Sequence, residues 1–203
     1  ALPFAEDDGG LGFGLPETLI VMEELGKGLL TAPYVATVVL GGGVLKRASA
    51  EQKEQHLSAL LGGELQMALA VDEPGRLHGL AGTRLEARCE GDDYVLQGAK
   101  ACVLNGDQAE LLAVLARTGG EAGSRDGLSL FLVDAEAEGL RRRPYRLVDG
   151  QQAAELHFDG VRVPAAALVG TEGEGAAPAE AVLTEGILAL GAQAVGVADR
   201  LLW

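Results

Sequence analysis

The hydrophobic period of this chain changes twice, and few architectures accommodate that. Up to residue 64 the apolar positions recur at helical spacing. Pro16 suits a first helical position and Glu17 the positive end of the helix dipole; Leu19, Ile20, Glu23, Glu24 and Leu25 then follow one helix that ends at residues 26–28. Pro33 opens a second helix through Val35, Val38, Val39 and Leu40. Ser49, with Gln52 three residues on, forms a capping box ahead of a third helix that carries Leu57, Leu60 and Leu61 on one face. From Leu65 the pattern turns strand-like, with short apolar runs at residues 65–71, 83–89, 94–97, 100–104, 111–116, 128–133, 140–147 and 155–158 and a hairpin turn at Gly91-Asp92-Asp93. After Gly175 the helical period returns through Ala181, Leu183, Ile187, Leu188, Leu190, Ala194, Val195 and Ala198. The order predicts an α+β chain in three parts: a helical segment over 1–64, an antiparallel barrel or sandwich over 65–174, and a helical segment over 175–203.

Several stretches qualify that outline. The Gly41-Gly42-Gly43 run costs about 1 kcal/mol per residue against alanine inside a helix, so it either breaks the helix or admits another backbone or a ligand closely. The last helix is apolar on most sides and needs more neighbours than the remaining helices supply. Together with the apolar Leu201-Leu202-Trp203 and an Ala1 start, this suggests part of a longer protein, or one covered by a partner. Residues 118–127, polar and glycine-rich, are expected to form a mobile surface loop. Arg141-Arg142-Arg143 reads as a solvated strand end or as a contact for an acidic neighbouring subunit.

Composition removes some function classes. At 203 residues and 48% hydrophobic, the chain can bury a sizeable core. A formal net charge of −14 disfavours nucleic acid and anionic membrane surfaces as partners. No run of 18 apolar residues occurs, so no membrane span is expected. Cys89 and Cys102 suggest no disulfide framework and fit a reducing, cytoplasmic setting. No residue is assigned to a metal.

The stretch that carries chemistry runs from Ala70 to Asn105. It opens Ala70-Val71-Asp72-Glu73-Pro74-Gly75 and closes Gly98-Ala99-Lys100-Ala101-Cys102-Val103-Leu104-Asn105-Gly106. Val95-Leu96 and Cys102-Val103 are β-formers, and Gly98-Ala99-Lys100 makes a plausible tight connection between them, so two strand ends are expected beside one flat ligand. Glu-Pro-Gly followed by Gly-x-Lys-x-x-x-x-Asn-Gly resembles the middle β-domain of acyl-CoA dehydrogenases. Four further segments agree in order: Asp7-Asp8-Gly9-Gly10-Leu11-Gly12, Glu23-Glu24-Leu25-Gly26, Phe158-Asp159-Gly160-Val161-Arg162-Val163-Pro164, and Leu168-Val169-Gly170-Thr171-Glu172-Gly173-Glu174-Gly175. The resemblance covers nearly the whole chain and narrows the middle fold to an antiparallel β-barrel domain between helical segments.

The resemblance implies a flavoprotein oxidoreductase of fatty acid metabolism. Its cofactor would be FAD, and its reaction the α,β-dehydrogenation of an acyl-CoA thioester with hydride transfer to the flavin. Its implied partners are the acyl-CoA substrate, electron-transfer flavoprotein or a similar acceptor, and further copies in a homodimer or homotetramer, or a heteromer. Because CoA is an anion, its site on this acidic chain would need local cations or backbone donors. Carried over residue by residue, the flavin contacts are Leu69, Val71 and Asp72 from the first strand and Cys102 and Leu104 from the second. This chain departs from the family there. Asp72 stands for a threonine or serine, Cys102 for a tryptophan, and Leu104 for a threonine or serine. A carboxylate about 4 Å from a ring that gains negative charge costs about 4 kcal/mol at an effective dielectric near 20, which lowers the reduction potential. Leu104 removes a hydrogen bond worth about 1 kcal/mol. After Glu-Pro-Gly the chain reads Arg76-Leu77-His78-Gly79, without the family's serine; Arg76 offers positive charge in its place or is a surface arginine.

The catalytic base is a glutamate, which the resemblance puts beyond Trp203 in most members and on the helix matching residues 180–203 in a minority. In that register the glutamate falls on Gly186 and a following arginine on Ile187. Glu185, one residue and about 100° away, is the candidate base within the chain. Three readings follow. The first is an acyl-CoA dehydrogenase-like flavoenzyme; the second is a non-catalytic or half-site subunit with degenerate flavin contacts; the third is a non-enzymatic acyl-binding β-module.

Overall fold

A computed structural model describes residues 1–75 and 79–202. Helix α1 spans Leu15–Lys27, with Pro16 in its first turn and Glu17 accepting from the Gly14 amide at 2.9 Å. A π-helical stretch, Val35–Gly41, runs into α2, Gly42–Leu45. Helix α3, Ala50–Gly62, has the expected capping box: the Gln52 amide donates to Ser49 Oγ at 3.2 Å and the Ser49 amide to Gln52 Oε1 at 3.0 Å. The glycine run between Leu40 and Val44 serves close packing. A side chain on Gly41 would overlap Met67, and one on Gly42 would come within 2.8 Å of Phe4.

Among the described residues eight strands follow: β1 Met67–Ala70, β2 Glu86–Glu90, β3 Asp93–Leu104, β4 Leu111–Arg117, β5 Leu128–Asp134, β6 Leu140–Arg146, β7 Gln152–Pro164 and β8 Leu168–Val169. The order across the sheet is β6-β7-β3-β2-β4-β5-β8, with β1 paired to β4. Most pairs are antiparallel, but β1 runs parallel to β4, and β1 and β2 occupy the same edge of β4 one after the other. The sheet is not closed, so a barrel describes it only loosely. Its β6 edge carries Arg141, Arg143 and Pro144, and a proline lacking N–H together with charge discourages further strand pairing.

The expected turn at Gly98-Ala99-Lys100 does not form. All three residues lie inside β3, which pairs with β7 along most of its length. Gly98 has φ 142°, and a Cβ there would press within 3.0 Å of Leu85 Cα, so glycine at this position serves strand continuity and close approach. Loop 118–127, expected to be mobile, is tied to Arg117, whose guanidinium donates to the carbonyls of Thr83, Ala81, Gly119, Ser124 and Asp126. The three consecutive arginines pair within the chain: Arg141 with Asp159, Arg142 with Glu136 and Arg143 with Glu155.

Both faces of β4 are buried. Leu112, Val114 and Ala116 join a core with Phe131, Leu156 and Phe158, whereas Leu111, Ala113 and Leu115 join a second core with Phe4, Leu57, Met67 and Val182. That is why the run reads as continuously apolar. Helix α4, Ala176–Leu202, crosses α1 so closely that a side chain on Gly26 would meet the Gln193 carbonyl and one on Gly196 the Glu23 carbonyl. Among the described residues, α4 alone is long and apolar enough by composition to cross a membrane, although no unbroken apolar run of that length exists in the sequence. Its carboxylates Glu180 and Glu185 pair with Arg125 and Arg47 of other elements, and its glycine-lined contact with α1 is that of a packed helix.

Candidate functional site

Parallel pairing of β1 with β4 brings the end of β1 alongside β3. At that point β3 carries a bulge: Lys100 pairs with Leu156 and Val103 with Ala154, so Ala101 and Cys102 together face one residue of β7. Cys102 takes φ 50°, an uncommon value for a residue with a side chain, and is exposed. The Ala101 amide leaves the β7 ladder and donates to the Asp72 carbonyl at 2.8 Å. The two segments expected to flank one ligand therefore do meet, as a strand end against a bulge in place of two strand ends.

A cavity of about 170 Å³ opens where they meet. Leu69, Val71, Asp72, Cys102 and Leu104 all line it, together with Ala101. Leu69 is buried, Val71 and Leu104 are half-buried, and Asp72 and Cys102 are exposed at the rim. The opposite wall consists of Val35 and Leu40 from the π-helical stretch and Leu183, Gly186, Ile187 and Leu190 from α4. Gly186 leaves room for Leu40, whose Cδ2 would lie 2.6 Å from a Cβ there. The register carried over from the resemblance put Gly186 and Ile187 at the site; sequence reasoning missed Val35, Leu40, Leu183 and Leu190 as the rest of this wall.

Glu185 does not line the cavity. Its carboxylate accepts from Arg47 Nη2 at 2.8 Å, while Arg47 Nη1 donates to the Gly43 carbonyl at 2.7 Å. The rotation of about 100° between adjacent helical residues explains the outcome: Gly186 and Ile187, where the resemblance puts a base and an arginine, are the positions that face inward.

The motif residues that carry charge sit beneath the rim. Lys100 is fully buried, and its Nζ donates to the Val71 carbonyl and to Glu73 Oε1, each at 3.0 Å. Glu73 also accepts from the Arg84 and Leu85 amides at 2.9–3.0 Å. Burial lowers the Lys100 pKa to about 8, a shift that the neighbouring Glu73 and Asp72 carboxylates oppose. One buried ion pair thus staples the end of β1, the approach to β2 and the middle of β3. Asn105 does similar work at the other end of the bulge, with Nδ2 donating to Gln66 Oε1 at 2.9 Å and lying 3.5 Å from Thr37 Oγ1; that hydroxyl donates to the Met67 carbonyl at 3.1 Å. Tyr145 of β6 reaches Cys102, and burial together with that thiol pushes its phenol pKa up. Arg76, the candidate cation after Glu-Pro-Gly, lies outside the described residues.

The bulge and the apolar wall suit a flat ring with a hydrogen-bonding edge. Leu69, Val71 and Leu104 offer a surface for the ring, and Ala101 and Cys102 are out of regular ladder register. A cavity of about 150 Å³ holds one benzene-sized group, so the space here takes one end of a fused tricycle, with the remainder extending past the exposed rim.

Comparison with known proteins places this geometry. The N-terminal domain of acyl-CoA dehydrogenase matches residues 1–64, and the middle domain of acyl-CoA dehydrogenase matches residues 68–161. The probable acyl-CoA dehydrogenase YngJ of Bacillus subtilis is 33% identical over 207 residues, covering 99% of this chain and 54% of YngJ. Butyryl-CoA dehydrogenase from Megasphaera elsdenii superposes with a TM-score of 0.89 at 28% identity, over 98% of this chain and 54% of that one. An FAD complex of PigA gives a TM-score of 0.87 at 26% identity, again over 98% and 54%. The chain spans about half the length of these relatives. Two domain matches in sequential order, a relative 33% identical over nearly the whole chain and structural agreement over 98% of it converge: the chain belongs to the acyl-CoA dehydrogenase family.

Proposed function

We propose that this chain is the flavin-bearing portion of an FAD-dependent acyl-CoA dehydrogenase, acting on the α,β-bond of an acyl-CoA thioester. The observation that carries the reading is the cavity at the β1–β3 junction, which gathers Leu69, Val71, Asp72, Cys102 and Leu104 from two separated segments. Bound there, FAD supplies the hydride acceptor. The chain's own residues would bind and orient it: Leu69, Val71 and Leu104 would pack against the ring, and the Cys102 bulge would present backbone to its edge. Asp72 stands at the exposed rim, where water raises the effective dielectric and would weaken its repulsion of a ring that gains negative charge. In this reading Glu185, held by Arg47 and absent from the cavity lining, is not the proton acceptor. Acyl-CoA as substrate, an electron-transfer flavoprotein as acceptor, oligomerisation and a cytoplasmic setting belong to the same reading.

Purified chain mixed with FAD and then desalted tests it. Retained flavin absorbance supports the reading, and a colourless protein overturns it. Gly186 favours a second reading, a half-site subunit: it lines the cavity at the position where a base would sit, without a side chain to act. Turnover that appears only with a base-bearing paralogue co-expressed supports that reading, and turnover by the natural full-length protein alone removes it.

A further inference from the structure

The buried Lys100 has no expected role in the flavin contacts, yet it touches the cavity's frame. Its ammonium donates to the carbonyl of Val71, a lining residue, and Ala101 beside it donates to the carbonyl of Asp72, the next lining residue. Glu73 anchors the same ammonium and is itself fixed by the Arg84 and Leu85 amides. Two adjacent peptide groups of the rim are therefore held from below by consecutive residues of β3. A methylene chain alone at this position could fill the core, but it could not hold the Val71 carbonyl. We infer that Lys100 is a positioning residue that sets the conformation of the Val71–Asp72 rim against the Cys102 bulge, and so sets how a flat ligand lies in the cavity. This rests on the flavin reading only for the identity of the ligand.

The test uses two variants. Lys100→Met alone leaves the Glu73 charge buried. Lys100→Met combined with Glu73→Gln removes both charges, while the introduced carboxamide oxygen still accepts from the Arg84 and Leu85 amides, so it guards against a variant that simply fails to fold. The first readout is independent of any cofactor. In a Cys89→Ser background, Cys102 alone reports on the rim, and its rate of alkylation by iodoacetamide is measured at fixed pH. Loss of the rim's anchor is expected to change that rate about tenfold, as for one charge-assisted hydrogen bond, in the double variant as in the single one. The second readout is FAD binding: the dissociation constant weakens about tenfold and the visible circular dichroism of the bound flavin changes shape. If both variants fold, with an unchanged Cys102 rate, Lys100 is only a core staple and the inference is overturned. If the Cys102 rate changes as expected while the unmutated chain takes up no FAD, the flavin reading falls and the positioning role stands. If FAD binds both variants with unchanged affinity and spectrum, the role in ligand placement is overturned even where alkylation changes.

Discussion

The two walls of the cavity are built by opposite means. The β wall is held by buried polar bonds: Lys100 to Glu73 and Val71, and Asn105 to Gln66. The helical wall is held by close backbone packing at Gly26 and Gly196, and the outer side of α4 stays open, with Leu188, Val195, Leu201 and Leu202 exposed. A polar staple fixes geometry but makes every partner indispensable, because a buried group left alone pays its full desolvation cost. Glycine-mediated contact tolerates loss of side-chain detail but fails when bulk is added. The β wall is thus specified within this chain, whereas the helical wall leaves apolar surface for something further to cover.

That contrast can be broken at graded cost. Lys100→Met should be the most damaging, by about 3–5 kcal/mol, because Glu73 is then left as an uncompensated buried charge; urea unfolding measures it, and a loss below about 1 kcal/mol would show that the pair is not the staple described. Gly196→Val should follow, at about 1–3 kcal/mol from overpacking against the Glu23 carbonyl, read as a lower unfolding midpoint. Gly186→Ala sharpens the comparison, since a gain of about 1 kcal/mol in helix propensity offsets displacement of the Leu40 tip, leaving stability within about 0.5 kcal/mol of the original. The smallest effect belongs to Leu188→Ser on the open face of α4, which should stay within about 0.5 kcal/mol.

A pH series separates the walls without mutating the helical one. Lysine unfolded holds its proton to about 10.5, but buried Lys100 loses it near 8. Between those values the unfolded chain binds more protons, so stability rises with pH through that window, and below it the charged lysine keeps a fixed penalty. The difference in unfolding free energy between the original protein and Lys100→Met should therefore grow from about pH 8 to about pH 10. A flat difference would mean that Lys100 titrates as an exposed lysine.

Much of the frame was legible because it rests on local rules. The Ser49–Gln52 capping box, the Gly91-Asp92 hairpin and the return of helical period after Gly175 each signal their element within a few residues. The strand through Gly98 was misread because glycine punctuates turns and also permits close packing, and only Leu85, brought in from elsewhere, decides between them. The same holds at the site. A family pattern put Leu69, Val71, Asp72, Cys102 and Leu104 beside one another, but nothing in their spacing could reveal that Glu73 and Lys100 were bonded to each other. Nor could helical spacing alone decide between Glu185 and Gly186 for the inward face, which depends on where Arg47 and Leu40 arrive.

The parallel pairing of β1 with β4 also sets an order of events. The ladder of Met67–Ala70 forms with Leu111–Val114, beyond the whole β2–β3 hairpin. Hairpins close early because their loops are short, whereas this junction waits for a distant segment. A nascent chain lacking β4 would therefore hold the Glu-Pro-Gly half of the motif with no strand to dock it, so the β1–β3 junction and the cavity it lines are expected to form late in folding.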